Sequence, residues 1–376
     1  MESLYYVLSY VCHRRCEHCY EDRFRPYHGA ALNEQIEQAR ADFSRIIDHL
    51  PEQLGYLDRT TQNPDGSLRK RPSRIILAGG EALHPAIRDV ITYPALERLS
   101  ARYRGQGVRL IVQTTGDLLS SEIIAELVER GIHMISVAGL DSFHVGIDTP
   151  AAQDRLRGRL VALFTQHGLR PSGHQANEGR SWVEEDGPTY SFFGATPESW
   201  VGKIWPRGRA WQNGLSRATL ADNFCSAWSG GRGFLDYRHD GSEVSIDPSG
   251  DVYPCCLKTR RALGNLVEEP LLDILQSLVD DPVFQAINAG QPQAMAGPLG
   301  LSESDFLDLC RTQTPGGLPY QNLCIGCDRL FEDQLGPRLA SLRTARAQRR
   351  QALPRPVAPD SPDAAQSLFP KGLRHG

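Results

Sequence analysis

Apolar positions follow two rhythms in the first half of the chain. Residues 4–11 (LYYVLSYV), 74–78 (RIILA), 108–114 (VRLIVQT) and 132–138 are short, largely apolar runs, which is the pattern of buried strands. Between them, residues 33–50, 86–103, 120–130 and 153–167 repeat their apolar positions at helical spacing. In the first of these, Ile36, Ala39, Phe43, Ile46 and Ile47 share one side. Four strand–helix units in succession predict parallel strands with helical crossovers, and such folds place their sites just after the strands. Residues 190–194 (YSFFG) are a candidate fifth strand. Residues 51–72 read as an insertion around the turn signal Asn63-Pro64-Asp65-Gly66.

The second half has a different rhythm. Residues 243–247 and 252–253 flank Pro248-Ser249-Gly250-Asp251 and predict a hairpin. Short helices are expected at 269–279, 282–288 and 302–310, and a loop at 315–327. Residues 204–211 (IWPRGRAW) read as a loop over something, suited to an anionic or aromatic group or to a packing lid. From Gly336 onward the chain holds eight basic and two acidic residues. It reads as a helix start running into a mobile tail, a solvated extension rather than a nucleic-acid arm.

Composition narrows the class. The chain has 376 residues, of which 40% are hydrophobic and 23% charged, with a net charge of −4. That is globular, and it gives no reason to expect nucleic acid as the main partner. No apolar run reaches membrane-spanning length. The first residues lack a basic, signal-like block, so a cytoplasmic location is the expectation.

Nine cysteines carry the chemistry. Their odd number and the missing export signal argue against a disulfide framework. They fall in two groups, with none between residues 20 and 224. Cys12, Cys16 and Cys19 form a C-x3-C-x2-C loop after the first strand. Three thiolates there can wrap one face of an iron–sulfur cube and leave one iron open. A zinc loop completed by His13 or His18 is the alternative. Gly79-Gly80-Glu81 follows the second strand, and two glycines let backbone approach a ligand closely.

The segment VCHRRCEHCY resembles the cluster loop of the radical S-adenosylmethionine (radical SAM) enzymes, with His18 at the usual aromatic position. Gly79-Gly80-Glu81-Ala82 resembles that family's G-G-E-P motif. Gln113-Thr114-Thr115-Gly116 resembles its T-N-G segment, and Ser136 to Asp141 followed by His144 its S-x-D-G…H segment. The resemblance covers roughly residues 4–211. It implies a partial (β/α)6 barrel in which Cys12, Cys16 and Cys19 hold a [4Fe-4S] cluster and SAM chelates the open iron. His18, Gly79, Gly80, Glu81, Thr115 and Ser136 would then contact SAM. The implied reaction is reductive cleavage of SAM to a 5′-deoxyadenosyl radical that abstracts hydrogen from a substrate.

Gly250 to Cys255 (G-x4-C), Cys324-Ile325-Gly326-Cys327 and upstream Cys225 resemble the SPASM and twitch extensions of these enzymes. So does Leu263-Gly264-Asn265-Leu266. The resemblance implies one auxiliary [4Fe-4S] cluster on Cys225, Cys255, Cys324 and Cys327, which accepts an electron or binds substrate. Cys256 stands as an alternative to Cys255, and Cys310 as an alternative to Cys225. A structural zinc site is the competing reading of the group.

The expected architecture is thus an α/β partial barrel (1–211), a small α+β auxiliary-cluster domain (212–335) and a tail (336–376). The implied substrate is a peptide or a small natural-product molecule, and the implied electron donor a flavodoxin or ferredoxin. The alternative function is a non-catalytic zinc- or iron–sulfur-binding module or electron carrier.

Overall fold

The computed structural model describes residues 1–172, 187–194, 204–227 and 229–352. Its centre is one nine-stranded sheet. Strand β1 is Ser3–Val7, the hairpin β2 and β3 is Gly55–Gln62 and Leu68–Pro72, and β4 is Arg74–Ala78. Then come β5 (Arg109–Thr114), β6 (Met134–Ala138), β7 (Arg170–Pro171), β8 (Thr189–Phe193), β9 (Glu243–Ile246), β10 (Asp251–Tyr253) and β11 (Gly264–Asn265). The sheet order is β11-β10-β9-β1-β4-β5-β6-β8-β7. From β9 to β7 every pairing is parallel, whereas β10 and β11 run antiparallel.

The expected crossover helices are present. They are α1 (Gly29–Asp48), α2 (Pro85–Ile87) leading through a π-helical turn at Arg88–Thr92 into α3 (Tyr93–Arg102), α4 (Ser121–Glu129) and α5 (Pro150–Gln166). Ser120 and Thr149 cap α4 and α5 by accepting backbone N–H bonds from Ile123 and Ala152. The parallel strands β1 and β4 to β6 are mainly apolar because both faces are covered. On β1, Leu4 and Tyr6 pack with Ile46, Ile75 and Leu99 on the helical side. Tyr5 and Val7 turn the other way, to Ile76, Ile111 and Met134. This alternation leaves Tyr5, Ile76, Ile111, Gln113, Ser136 and Ser191 facing one central cavity.

The expected division at residue 211 falls inside α6 (Gly208–Gln212). β9 adds in parallel to β1, pairing Ser3 with Glu243 and Tyr6 with Ile246, so the auxiliary hairpin continues the barrel sheet. The helices α7 (Leu271–Gln276), α8 (Pro282–Asn288) and α9 (Glu303–Leu309) stand within a few residues of the expected bounds.

Three readings change. The insertion is the hairpin β2–β3, closed at Asn63 and Gly66 and joined to the second half where Leu57 donates to the Arg238 carbonyl at 2.8 Å. The stretch expected as a loop at 315–327 contains β13 (Pro319–Gln321), paired with β12 (Arg311–Gln313), and then the start of α10 (Leu323–Asp333). The basic segment begins as an 18-residue helix, α11 (Leu335–Ala352). Arg346 on α11 is buried and makes a two-point ion pair with Glu269, at 2.7 and 2.8 Å. Residues 353–376, the rest of the expected tail, lie outside the described residues.

Candidate functional site

The C-terminal ends of the parallel strands open on a cavity of about 1250 Å³. Cys12, Cys16 and Cys19 line it from the loop after β1, and Gly79 and Gly80 from the turn after β4. The two segments are laced together: Gly80 N–H donates to the Ser9 carbonyl at 3.0 Å, and Glu81 N–H to the Val11 carbonyl at 2.9 Å. The contact is too close for a side chain. A Cβ on Gly80 would stand 2.4 Å from the Val11 carbonyl oxygen and 2.8 Å from the Cys12 Cβ. Sequence placed these groups one βα unit apart, and the fold brings them to one wall.

Burial first of all raises the pKa of each of these thiols. Cys12 is pushed up to about 12 and Cys19 to about 11, and Cys16 is raised as well. Thiols so placed are neutral unless iron takes them as thiolates. Spacing also bears on the metal. A tetrahedral zinc site, with Zn–S near ~2.3 Å, draws its sulfurs to within roughly 4 Å of one another. Among the described residues, the one set of three His, Cys, Asp or Glu ligand atoms mutually within 4.8 Å is His18, Asp141 and His144.

The expected SAM contacts divide. His18, Thr115 and Ser136 all line the cavity. His18 packs against Phe143 and His144, with ring centroids 5.4 and 4.6 Å away. Burial, then the neighbouring His144, lowers its pKa to about 4, so it is neutral and serves as the aromatic wall. The Ser136 hydroxyl lies 3.2 Å from that of Ser191 on β8.

Glu81 is different, because its carboxylate is used up inside the protein. Oε1 accepts from Leu83 N–H at 2.9 Å and the Thr114 hydroxyl at 2.7 Å. Oε2 accepts from the N–H and hydroxyl of Thr115, at 2.9 and 2.8 Å. Glu81 thus ties β4 to β5, and Thr115 is held in the same network.

Sequence reasoning missed two supports of the cysteine loop. Asp117 Oδ2 meets His13 Nε2 and an Arg14 guanidinium nitrogen, each at 2.7 Å. Burial alone would raise the Asp117 pKa, but the hydrogen bonds of His13 and Thr115 outweigh it and hold the carboxyl well below the usual range. The second support is Arg209 on α6. It is buried and donates to three carbonyls of the loop: Cys16 at 2.9 Å, Asp22 at 2.9 Å and Phe24 at 2.7 Å. Ala210 N–H adds a bond to the Cys19 carbonyl at 3.1 Å. Gly208 allows the close approach, with φ at +53° and the Tyr20 carbonyl 2.5 Å from where a Cβ would stand.

The second cysteine group assembles beyond this strap. Cys324 and Cys327 lie in the first turn of α10, three residues apart and therefore on one face. Asn322 caps that helix by accepting from Cys324 N–H at 2.9 Å. Its amide also donates to the Thr219 carbonyl at 2.6 Å, which ties α10 to the segment leading to Cys225. Cys327 feels the thiols of Cys225, Cys324 and Cys255, and Cys225 feels those of Cys255 and Cys324. Burial is the first cause of the raised pKa in all four.

Both alternative cysteines adjoin this group: Cys324 feels the thiol of Cys310, and Cys256 that of Cys255. Cys310 is fully buried in the apolar core, against Gly326 of α10, where a Cβ would stand 2.6 Å from its sulfur. Cys256 lines the central cavity near Ser229 and Glu243.

The SPASM family, an iron-sulfur cluster-binding domain, matches residues 239–292, which hold the β9–β10 hairpin with Cys255. No curated protein matches. Among solved structures, one of BtrN in complex with AdoMet and 2-DOIA is similar at 14% identity and a TM-score of 0.40, covering 81% of this chain and 90% of that one. One of anSMEcpe with bound AdoMet and the Cp18Cys peptide is similar at 14% identity and a TM-score of 0.39, covering 91% and 99%. One of Streptococcus suis SuiB bound to S-adenosylmethionine is similar at 14% and 0.28, covering 76% and 67%. At such scores the likeness fixes neither site nor substrate. Among the described residues, no helix is long and apolar enough to cross a membrane.

Proposed function

We infer that this chain is a radical SAM enzyme carrying a SPASM-type iron–sulfur domain, and that it acts on a substrate held inside the barrel. The observation that carries the reading is the shared wall: three thiols from the loop after β1 and the Gly79-Gly80 backbone line one cavity at the strand ends. Cys12, Cys16 and Cys19 would hold a [4Fe-4S] cluster there, with SAM beside it. Bound together, cluster and SAM supply a one-electron reductive cleavage that yields a 5′-deoxyadenosyl radical. The protein's own part is to hold and to exclude. Arg209 and Asp117 fix the cysteine loop, His18 gives a neutral ring, and the inner faces of β1, β4 and β5 shield the cavity from water with Tyr5, Ile76 and Ile111.

Cys225, Cys255, Cys324 and Cys327 would hold the auxiliary [4Fe-4S] cluster across the strap from the first. In that place it suits the uptake of an electron from a substrate radical. The cavity lining also includes Ser229 and Glu243 and the charged side chains of Arg59, Arg232 and Asp240. A peptide side chain or a small natural-product molecule would occupy this cavity, and a flavodoxin or ferredoxin would supply the electron for SAM. A non-catalytic carrier has no use for a cavity of this size beside its cluster loop.

The test is a count of iron and sulfide after anaerobic reconstitution. The wild type should hold about eight irons, as two cubes require. Replacing Cys12, Cys16 and Cys19 with Ala should leave about four, and so should replacing Cys255, Cys324 and Cys327. Zinc in place of iron would overturn the reading.

A further inference from the structure

The strap between the two cysteine groups carries two arginines, and only Arg209 serves the first group. Arg207 faces the second. One terminal guanidinium nitrogen donates to the Cys324 carbonyl at 3.1 Å, and the other pairs with Asp328 at 2.8 Å. Its Nε–H is buried and has no hydrogen-bond partner among the described residues. Asp328 follows Cys327 directly. One of its oxygens also lies 3.3 Å from Arg260, and the other is buried with no hydrogen-bond partner among the described residues. A cation, a free donor and an anion thus sit together at one four-thiol site.

We propose that Arg207 sets the reduction potential of the auxiliary cluster, holding it high enough to accept an electron, with Asp328 as the opposing charge that orients the guanidinium. This rests on the reading that Cys225, Cys255, Cys324 and Cys327 hold a [4Fe-4S] cluster. The physical reason is charge. The reduced cluster carries one more negative charge than the oxidised one, so a nearby cation and an N–H donor favour the reduced form. The same chemistry makes Asp328 oppose reduction. The N-terminus of α10, where Cys324 and Cys327 sit, adds its positive end in the same direction as Arg207. Arg207 has no contact with the carbonyls of the first cysteine loop that Arg209 holds, so its influence falls on one cluster.

The experiment is a mediated redox titration of the full-length holoprotein, followed by EPR. Added SAM shifts the first cluster's signal and so separates it from the second. Arg207→Met should lower the reduced-to-oxidised ratio of the auxiliary cluster at a fixed poise on the order of tenfold, about 59 mV for one electron. Asp328→Asn should move it the opposite way. Arg207→Lys keeps the charge but not the planar donor set, and should fall between wild type and Met. Iron content, read alongside, should stay at the wild-type value.

An auxiliary potential unchanged in both Arg207→Met and Asp328→Asn, at full iron content, would overturn the proposal. So would shifts of the same sign in the two variants. If Arg207→Met fails to hold iron, the sign of the Asp328→Asn shift decides. A wild-type protein with iron for the first cluster alone would instead overturn the two-cluster reading beneath it.

Discussion

Replacing Arg209 with Met should strip the first cluster and spare the second. The guanidinium makes three N–H···O=C bonds to the loop that carries Cys12, Cys16 and Cys19. Those to Cys16 and Phe24 are buried, and that to Asp22 is partly exposed. A hydrogen bond to a charged group contributes about 1.5–3 kcal/mol, so the two buried bonds together are worth roughly 3–6 kcal/mol to the ordered loop. At 1.4 kcal/mol per factor of ten, the ratio of ordered to open loop falls about 100-fold or more. Met keeps the apolar stem and removes every donor. The assay is iron and sulfide per chain after reconstitution, with EPR to identify the surviving cluster. Iron should fall from about eight to about four, and the remaining signal should be indifferent to SAM. Arg209→Lys, with one flexible ammonium, should recover part of the loss. A Met variant with full iron and undiminished SAM cleavage would refute the claim that Arg209 organises the loop.

Gly80→Ala should disturb the same cluster by another route. The added Cβ meets the Val11 carbonyl and the Cys12 Cβ, so first-cluster iron should drop while thermal stability changes less, as iron analysis beside a melt would show. Cys225→Ala should lose the auxiliary cluster, whereas Cys310→Ala should keep about eight irons and lower Tm, because Cys310 packs against α10 from the apolar core. Arg346→Ala should cost about 3 kcal/mol, the low end for a broken buried pair, since Glu269 loses its two-point partner and keeps only Arg350 at 3.0 Å. The same pair sets a pH dependence. Burial alone would raise the Glu269 pKa, but the bonds from Arg346, with those of Arg350 behind them, outweigh it and hold the carboxyl below its ordinary value. Its contribution is therefore full above the unfolded value of about 4.3 and is lost as pH falls through the lower folded value. The Tm gap between wild type and Arg346→Ala should narrow on acidification through that range, and a constant gap would contradict the assignment.

Much of the barrel is legible because its strands are buried on both faces and its helices on one, so that residues such as Ile75 to Leu77 and Ile46 with Ile47 announce their elements locally. The cysteine loop and Gly79-Gly80 are legible for a related reason: spacing within a few residues is preserved by any fold that places a turn there. What escaped depends on partners far along the chain. The Arg-rich start of α11 looks solvated until Glu269, 77 residues away, is seen against Arg346. Cys324 and Cys327 look like a loop motif because Gly326 interrupts them, but Asn322 caps the turn and makes it helical. The network around Glu81 is likewise hidden in sequence, because its four donors come from Leu83 and from Thr114 and Thr115 of the next strand end. No local pattern separates Cys225 from Cys310, and in the fold both pack against the apolar core, Cys310 fully buried and Cys225 partly.

The central claim is that the Cys12, Cys16 and Cys19 wall is where SAM is reductively cleaved. The most direct measurement is 5′-deoxyadenosine formed by anaerobic, reconstituted protein given SAM and dithionite, beside the variant with these three cysteines replaced by Ala. Deoxyadenosine from the wild type and none from the variant is the predicted result. A fully iron-loaded wild type that leaves SAM intact, with candidate peptide and small-molecule substrates present, would contradict it.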